Sequence, residues 1–255
     1  MLSALPVNGV SLRISHTITH PSASTIIFLH DSLGCITLWR DFPEKLGAAT
    51  GCNVLVYDRQ GYGQSAPLTT TARNNDYMEL EAAILQQLMA QLQLTDVILF
   101  GHSDGASIAL MAAGKYPAGI KGVIAEGAHI FVEDLTLQGI RDAATAYTQT
   151  NLKERLQKYH GANTEAMFEA WAGTWLKAPF RSWNIEHFLP GIQCPVLVIQ
   201  GENDEYGTLA QVDGILNQVT GVAQSLIIPG IGHTPHKEAA DMVLDHAAAF
   251  IHTLL

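Results

Sequence analysis

The chain has 255 residues, of which 47% are hydrophobic and 15% charged, enough for one large domain with its own core. Its formal net charge of −10 argues against nucleic acid or an anionic membrane surface as partner, since both call for a cationic face, and is compatible with a neutral or cationic small molecule. No apolar run approaches the ~18 residues that span a bilayer, the N-terminus lacks the basic and apolar regions of a signal peptide, and Cys35, Cys52 and Cys194 are widely spaced without C-x-x-C, so the expectation is a reduced, cytoplasmic protein.

At the start of the chain, Asn8-Gly9 sits between alternating apolar residues, with Ile14 to Thr19 extending the second arm, which predicts an antiparallel hairpin at a sheet edge. Thr25 to Leu29 and Asn53 to Tyr57 are β-branched runs of the kind buried in parallel strands; Leu38, Trp39, Phe42 and Leu46 between them have helical spacing, completing a βαβ unit. A second helix is predicted to open at Asp76, whose carboxylate could cap it while Glu79 returns the bond, with Leu80, Ile84, Leu88 and Leu92 on its buried face. Val97 to Phe100 then reads as a strand, Ala106 to Lys115 as a small-residue helix, and Ile120 to Ala125 as the next strand.

There the alternation breaks. Roughly seventy residues precede Pro195, far more than the two to six of an ordinary βα loop, so they must carry structure of their own. Helical patterns run over Leu135 to Tyr147, Leu152 to Tyr159, Thr164 to Leu176 and Phe180 to Phe188. Residues 128–190 therefore read as a helical lid inserted into a core made of 1–127 and 191–255. Trp171, Trp175 and Trp183 would either roof a pocket or simply pack the insertion onto the core; Trp171 and Trp175 are taken as candidate substrate contacts. Strands at Pro195 to Gln200 and Ser225 to Ile228 and a helix from Lys237 to Leu254 complete the chain. The fold class is α/β: a mostly parallel, twisted sheet of about eight strands with helices on both faces.

Gly101-His102-Ser103-Asp104-Gly105 stands between the Val97 strand and a helix, the setting in which G-x-S-x-G forces a sharp turn and pushes a serine hydroxyl into an active site. Asp204 follows the Pro195 strand and His233 follows the Ser225 strand, so Ser, Asp and His come in that order, each just past the carboxyl end of a strand, where open α/β sheets gather their sites. A serine hydroxyl is a poor nucleophile at neutral pH; His233 would take its proton and Asp204 would hold the imidazole in the right tautomer. Glu202, Glu205 and Glu126 are rival carboxylates. His236 lacks a metal-ligand pattern and reads as a structural or pocket-lining histidine, and neither a metal nor an organic cofactor is expected. The oxyanion of an ester intermediate would need two backbone N–H groups, and those of Asp104 and Ser32 are in place, the latter in His30-Asp31-Ser32-Leu33-Gly34. His30 and His102 read as scaffold that orients these turns. The Asp104 side chain is either a receptor for a substrate amine or a paired, structural carboxylate.

With these motifs, and with Asp58-Arg59-Gln60-Gly61-Tyr62-Gly63-Gln64-Ser65 besides, nearly the whole chain resembles the α/β-hydrolase superfamily in its lidded branch. Leu33-Gly34, Ser103-Asp104-Gly105, Lys115-Tyr116-Pro117 and Ile130-Phe131-Val132-Glu133-Asp134 make it most similar to the biphenyl-hydrolase-like, valacyclovirase type. That resemblance implies a serine hydrolase cleaving a small carboxylic ester or activated amide through an acyl-enzyme, with Asp104 gripping the α-amino group of amino-acid esters. Asp31 departs from the glycine that many such relatives carry. Three other readings stay open: a carbon–carbon bond hydrolase of vinylogous diketones, a cofactor-free perhydrolase, and a ligand-binding protein that keeps the three residues without using them. Oligomeric state is not readable from the chain.

Overall fold

The computed structural model describes residues 2–255. Asn8 and Gly9 both have positive φ, 49° and 79°, the conformation of a two-residue turn whose twist suits a hairpin, and they join β1 (Leu2–Val7) to β2 (Val10–Thr17). The sheet continues through β3 (Thr25–Leu29), β4 (Asn53–Tyr57), β5 (Val97–His102), β6 (Ile120–Glu126), β7 (Val196–Gly201) and β8 (Ala223–Ile228). Its spatial order is β1-β2-β4-β3-β5-β6-β7-β8, antiparallel at the β1–β2 and β2–β4 pairings and parallel across the rest.

Strand alternation divides the core in two. Ile27, Leu29, Leu99 and Val123 face a cluster that takes in α2 (Tyr77–Gln91), α3 (Asp104–Lys115) and α7 (Leu209–Gln218), whereas Ile26, Phe28, Ile98 and Phe100 face α1 (Phe42–Thr50) and α9 (Ala240–His252). Helices thus cover both faces, as expected. Between β6 and β7 run α4 (Asp134–Gln149), α5 (Leu152–His160) and α6 (Thr164–Trp175), whose Leu156, Phe168 and Trp175 are buried. The short α8 (Pro235–Glu238) follows β8. Because β3 is flanked by β4 on one side and β5 on the other, the winding reverses there, and the loops after β3 and β5 open a crevice at their carboxyl ends.

Several local expectations are corrected. Leu38 to Leu46 is not one helix: a 3-10 turn over Ile36–Trp39 ends at Arg40, whose φ of 55° no helix accommodates, before α1 begins. Asp76 makes no side-chain cap, Glu79 pairs instead with Lys115, and α2 buries Tyr77, Met78, Ala82, Leu85, Leu88 and Met89 while Leu80 faces solvent. The helix is apolar over most of its circumference, so leucine spacing alone could not locate the buried face. Phe180 to Phe188 forms two 3-10 segments, Ala178–Ser182 and Glu186–Gly191, separated by a bridge between Asn184 and Phe131. The C-terminal helix is broken at Ala239 into α8 and α9.

Candidate active site

Ser103 is the residue at which β5 turns into α3, and it holds φ 56° and ψ −122°, a backbone conformation that costs a non-glycine residue about 1–3 kcal/mol. The turn is possible because its neighbours are small. A Cβ at Gly101 would strike the Gly105 carbonyl oxygen and one at Gly105 would strike the Leu29 carbonyl oxygen. The Ser103 N–H donates to the Glu126 carbonyl at 2.8 Å, tying the turn to the end of β6.

Two loops converge on it. His233, after β8, accepts the Ser103 hydroxyl at Nε2 (3.0 Å) and donates from Nδ1 to the Asp204 carboxylate, 2.9 Å from each oxygen. Asp204, after β7, is itself fixed by the Gln200 amide (2.7 Å) and the Tyr206 N–H (2.8 Å), so the imidazole is clamped in one tautomer. Burial opposes the charged ring of His233, but the Asp204 carboxylate, helped by Glu205 and Asp31, outweighs it and raises the His233 pKa above 6.5. Burial likewise works against the Asp204 anion, and the same histidine overrides it and holds the carboxyl below its ordinary range.

Among the described residues, no rival carboxylate hydrogen-bonds to the His233 ring. Glu126 is fully buried and pairs with His236, accepting from its Nδ1 at 2.9 Å and its backbone N–H at 2.6 Å. Glu202 accepts from the Gly230 N–H, its one side-chain hydrogen bond among the described residues. Glu205 accepts from the His233 N–H at 3.2 Å and lines the pocket. His102, pushed by burial to a pKa of about 4, is neutral and donates from Nε2 to the His233 carbonyl at 2.8 Å, the orienting role expected of it.

Ser103 opens into a cavity of about 220 Å³. Asp31, Ser32 and Leu33 line it from the loop after β3 and Asp104 from the start of α3, while Thr136 and Ile140 line it from α4 and Trp171 and Trp175 from α6. Trp183 packs on Trp175 and Phe180, outside the lining. Asp104 begins α3, where backbone N–H groups lack intrahelical partners, and no described residue accepts from the Ser32 N–H. The Asp104 side chain is 1% exposed and partly paired: Oδ2 accepts from the Tyr77 hydroxyl (2.8 Å), which accepts from Trp175 Nε1 (3.0 Å), with Arg59 Nη1 at 3.9 Å. Oδ1 has no hydrogen-bond partner among the described residues.

Tyr77, Arg59, His129 and His160 were not among the expected site residues. His129 lines the cavity and donates from Nε2 to the Tyr206 carbonyl at 3.2 Å. His160, at the end of α5, donates to the Leu33 carbonyl at 3.0 Å and accepts from the Gly63 N–H at 2.9 Å, joining the insertion to the turn after β3. Only Arg59 carried a signal: a cation two residues after a fully buried strand, in the Asp58-to-Ser65 motif, has to find partners near that strand's carboxyl end.

Comparison with known proteins agrees with this architecture. The chain is 34% identical to the mouse (Mus musculus) "Serine hydrolase BPHL" over 194 residues, 74% of this chain but only 65% of the relative's length. It is 24% identical over 264 residues to the 2-hydroxy-6-oxononadienedioate/2-hydroxy-6-oxononatrienedioate hydrolase of Escherichia coli (strain K12), covering 91% of this chain and 88% of that one. Among solved structures, the enol-lactonase from Burkholderia xenovorans LB400 superposes with a TM-score of 0.77 at 19% identity over 98% of this chain and all (100%) of that one, and the proline iminopeptidase of Mycobacterium smegmatis with 0.75 at 19% over 99% and 98%. The sequence profile of the alpha/beta hydrolase family matches residues 26–246, which is most of the chain and carries every residue assembled around Ser103, so this protein belongs to the alpha/beta hydrolase family.

Proposed function

We propose that this protein is a serine hydrolase that cleaves a small carboxylic ester bearing a cationic amine, through an acyl-enzyme intermediate. Ser103 Oγ attacks the ester carbonyl as His233 Nε2 takes its proton; the oxyanion is met by the N–H groups of Ser32 and Asp104. The imidazolium, held by Asp204, returns the proton to the departing alcohol, and a water deprotonated by the same nitrogen releases the acid. No step calls for a metal or an organic cofactor.

The observation that carries this reading is the continuous Ser103–His233–Asp204 hydrogen-bond chain opening into a cavity whose charged lining is Asp31, Asp104 and Glu205, with no lysine or arginine. The acidic lining favours a cation, and Asp104 Oδ1 is the carboxylate oxygen left over for it. The same lining speaks against the dicarboxylate named in the Escherichia coli relative's title, which would bring two negative charges to three carboxylates. At about 220 Å³ the cavity is small beside the ~300–1,000 Å³ of sites for drug-sized ligands, and the helices over residues 128–190 act as the lid that bounds it. The test is intact-mass analysis after a fluorophosphonate probe, with p-nitrophenyl and aminoacyl esters assayed in parallel. One adduct on Ser103 and preference for aminoacyl esters is the expected result; absence of labelling would favour a ligand-binding protein, and labelling with turnover only of vinylogous diketones would favour the carbon–carbon hydrolase.

A further inference from the structure

Arg59 has a side chain only 1% exposed and yet no close carboxylate partner, its nearest being Asp104 Oδ2 at 3.9 Å. A buried guanidinium is costly unless its donors are used, and here they converge on the turn after β3. Nη2 donates to the Asp31 carbonyl at 2.9 Å, while the backbone N–H (3.1 Å) and Nε (3.5 Å) donate to His30 Nε2. His30 is thereby held with its proton on Nδ1, from which it donates to the same Asp31 carbonyl at 2.7 Å, and the Gly34 N–H adds a third donor at 3.2 Å. Burial and the neighbouring Arg59 cation keep His30 neutral, which preserves the nitrogen lone pair that Arg59 uses.

Three donors on one carbonyl fix a peptide plane. In a trans peptide the C=O of residue 31 and the N–H of residue 32 point in opposite directions, so locking the Asp31 oxygen onto Arg59 and His30 leaves the Ser32 N–H directed away from them, without an acceptor, in a residue that lines the cavity beside Ser103. The same guanidinium reaches Asp104, whose own N–H is the other expected donor, and lies over the Tyr62 ring at 4.7 Å, which limits its freedom. We propose that Arg59 is the positioning residue of the oxyanion hole, setting the Ser32 N–H through the Asp31 carbonyl and bracing the Asp104 turn from beneath. The proposal rests on the serine-hydrolase reading above.

An oxyanion donor acts on the transition state more than on the bound ester, so its misplacement should lower kcat and spare KM. The experiment uses Arg59→Lys, which keeps the charge but loses the fork, and Arg59→Gln, which loses the charge but keeps an amide donor. Each is checked by thermal melting, then assayed with the best ester and titrated with a trifluoromethyl ketone analogue. Ser103 Oγ adds to that ketone's carbonyl carbon, its proton passes to His233, and the carbonyl electron pair becomes an oxyanion in the same place. Expected in the folded variants is a roughly ten- to hundredfold fall in kcat, KM within about twofold, and an equal fall in ketone affinity, while affinity for the product acid holds. Loss confined to KM, equal loss of ketone and product affinity, or unchanged kcat would overturn the positioning role. If the lysine variant does not fold, the glutamine variant decides; if neither folds, His30→Asn, which leaves Arg59 in place and removes one of the three donors' geometry, must show the same kcat-only signature or the proposal falls. Failure of the underlying reading looks different: the unsubstituted protein would then form no hemiketal at all.

Discussion

Two histidine–carboxylate pairs lie side by side in this molecule, and they differ in what surrounds them more than in their own geometry. His233 meets Asp204 and His236 meets Glu126 at the same 2.9 Å, and both pairs are buried. Yet His233 presents its second nitrogen to the Ser103 hydroxyl and borders the cavity, whereas the His236 ring is packed against Trp39, Phe42 and His102. Pairing with an acid orients an imidazole; what makes it a base is a free nitrogen within reach of a nucleophile and of substrate. The second pair instead ties the start of α8, and with it the loop carrying His233, to the end of β6.

The largest test of that contrast removes the proposed nucleophile. Ser103→Ala should lower ester turnover by ~10⁴-fold or more and abolish fluorophosphonate labelling while the melting curve stays close to the parent's; a variant that keeps full activity would remove the mechanism. Next, Asp204→Asn and Glu126→Gln should separate the pairs. Asp204→Asn is expected to cost about 10³- to 10⁴-fold in kcat with little change in stability, because it releases the tautomer of His233. Glu126→Gln is expected to keep kcat within about tenfold and to cost stability instead, on the order of 1–3 kcal/mol in chemical denaturation, because the buried His236 N–H and Nδ1 lose the carboxylate that accepts from both. The reverse pattern would assign the acid to Glu126.

A smaller effect concerns recognition. Asp104→Asn retains the backbone N–H, and should raise KM for aminoacyl esters, lowering kcat/KM by roughly ten- to hundredfold, while sparing matched esters without the amine, the size of a charge-assisted contact. Equal loss on both classes would mean that the Tyr77 and Arg59 contacts make Asp104 purely structural. The smallest effect is a shift along the pH axis. A base works only when unprotonated, so the rate with a neutral ester should fall as pH drops through the His233 pKa, which Asp204, Glu205 and Asp31 raise, placing the midpoint above 6.5. Asp204→Asn removes the foremost of these raising effects and should move the midpoint down, whereas Glu126→Gln should leave it in place; kcat/KM profiles of the variants check both.

What could be read from the chain by itself was whatever is local. The buried strands Thr25–Leu29 and Asn53–Tyr57, the hairpin turn at Asn8-Gly9 and the elbow around Ser103 are each dictated by a few adjacent residues: a β-branched run, a pair that tolerates positive φ, glycines where backbones nearly touch. The order Ser103, Asp204, His233 was legible for the same reason, since each follows its own strand. Tertiary structure alone decided the rest. That Glu126 belongs to His236, 110 residues away, that Asp104 is held by Tyr77, 27 residues earlier, and that Arg59 and His160 secure the turn holding Ser32 depend on how strands and helices stack, which no neighbouring residue encodes. The buried face of α2 escaped because the helix is apolar over most of its circumference and only packing against the sheet selects the side that is buried, and the breaks at Arg40 and Ala239 escaped because neither residue is the glycine or proline that would mark a backbone turn.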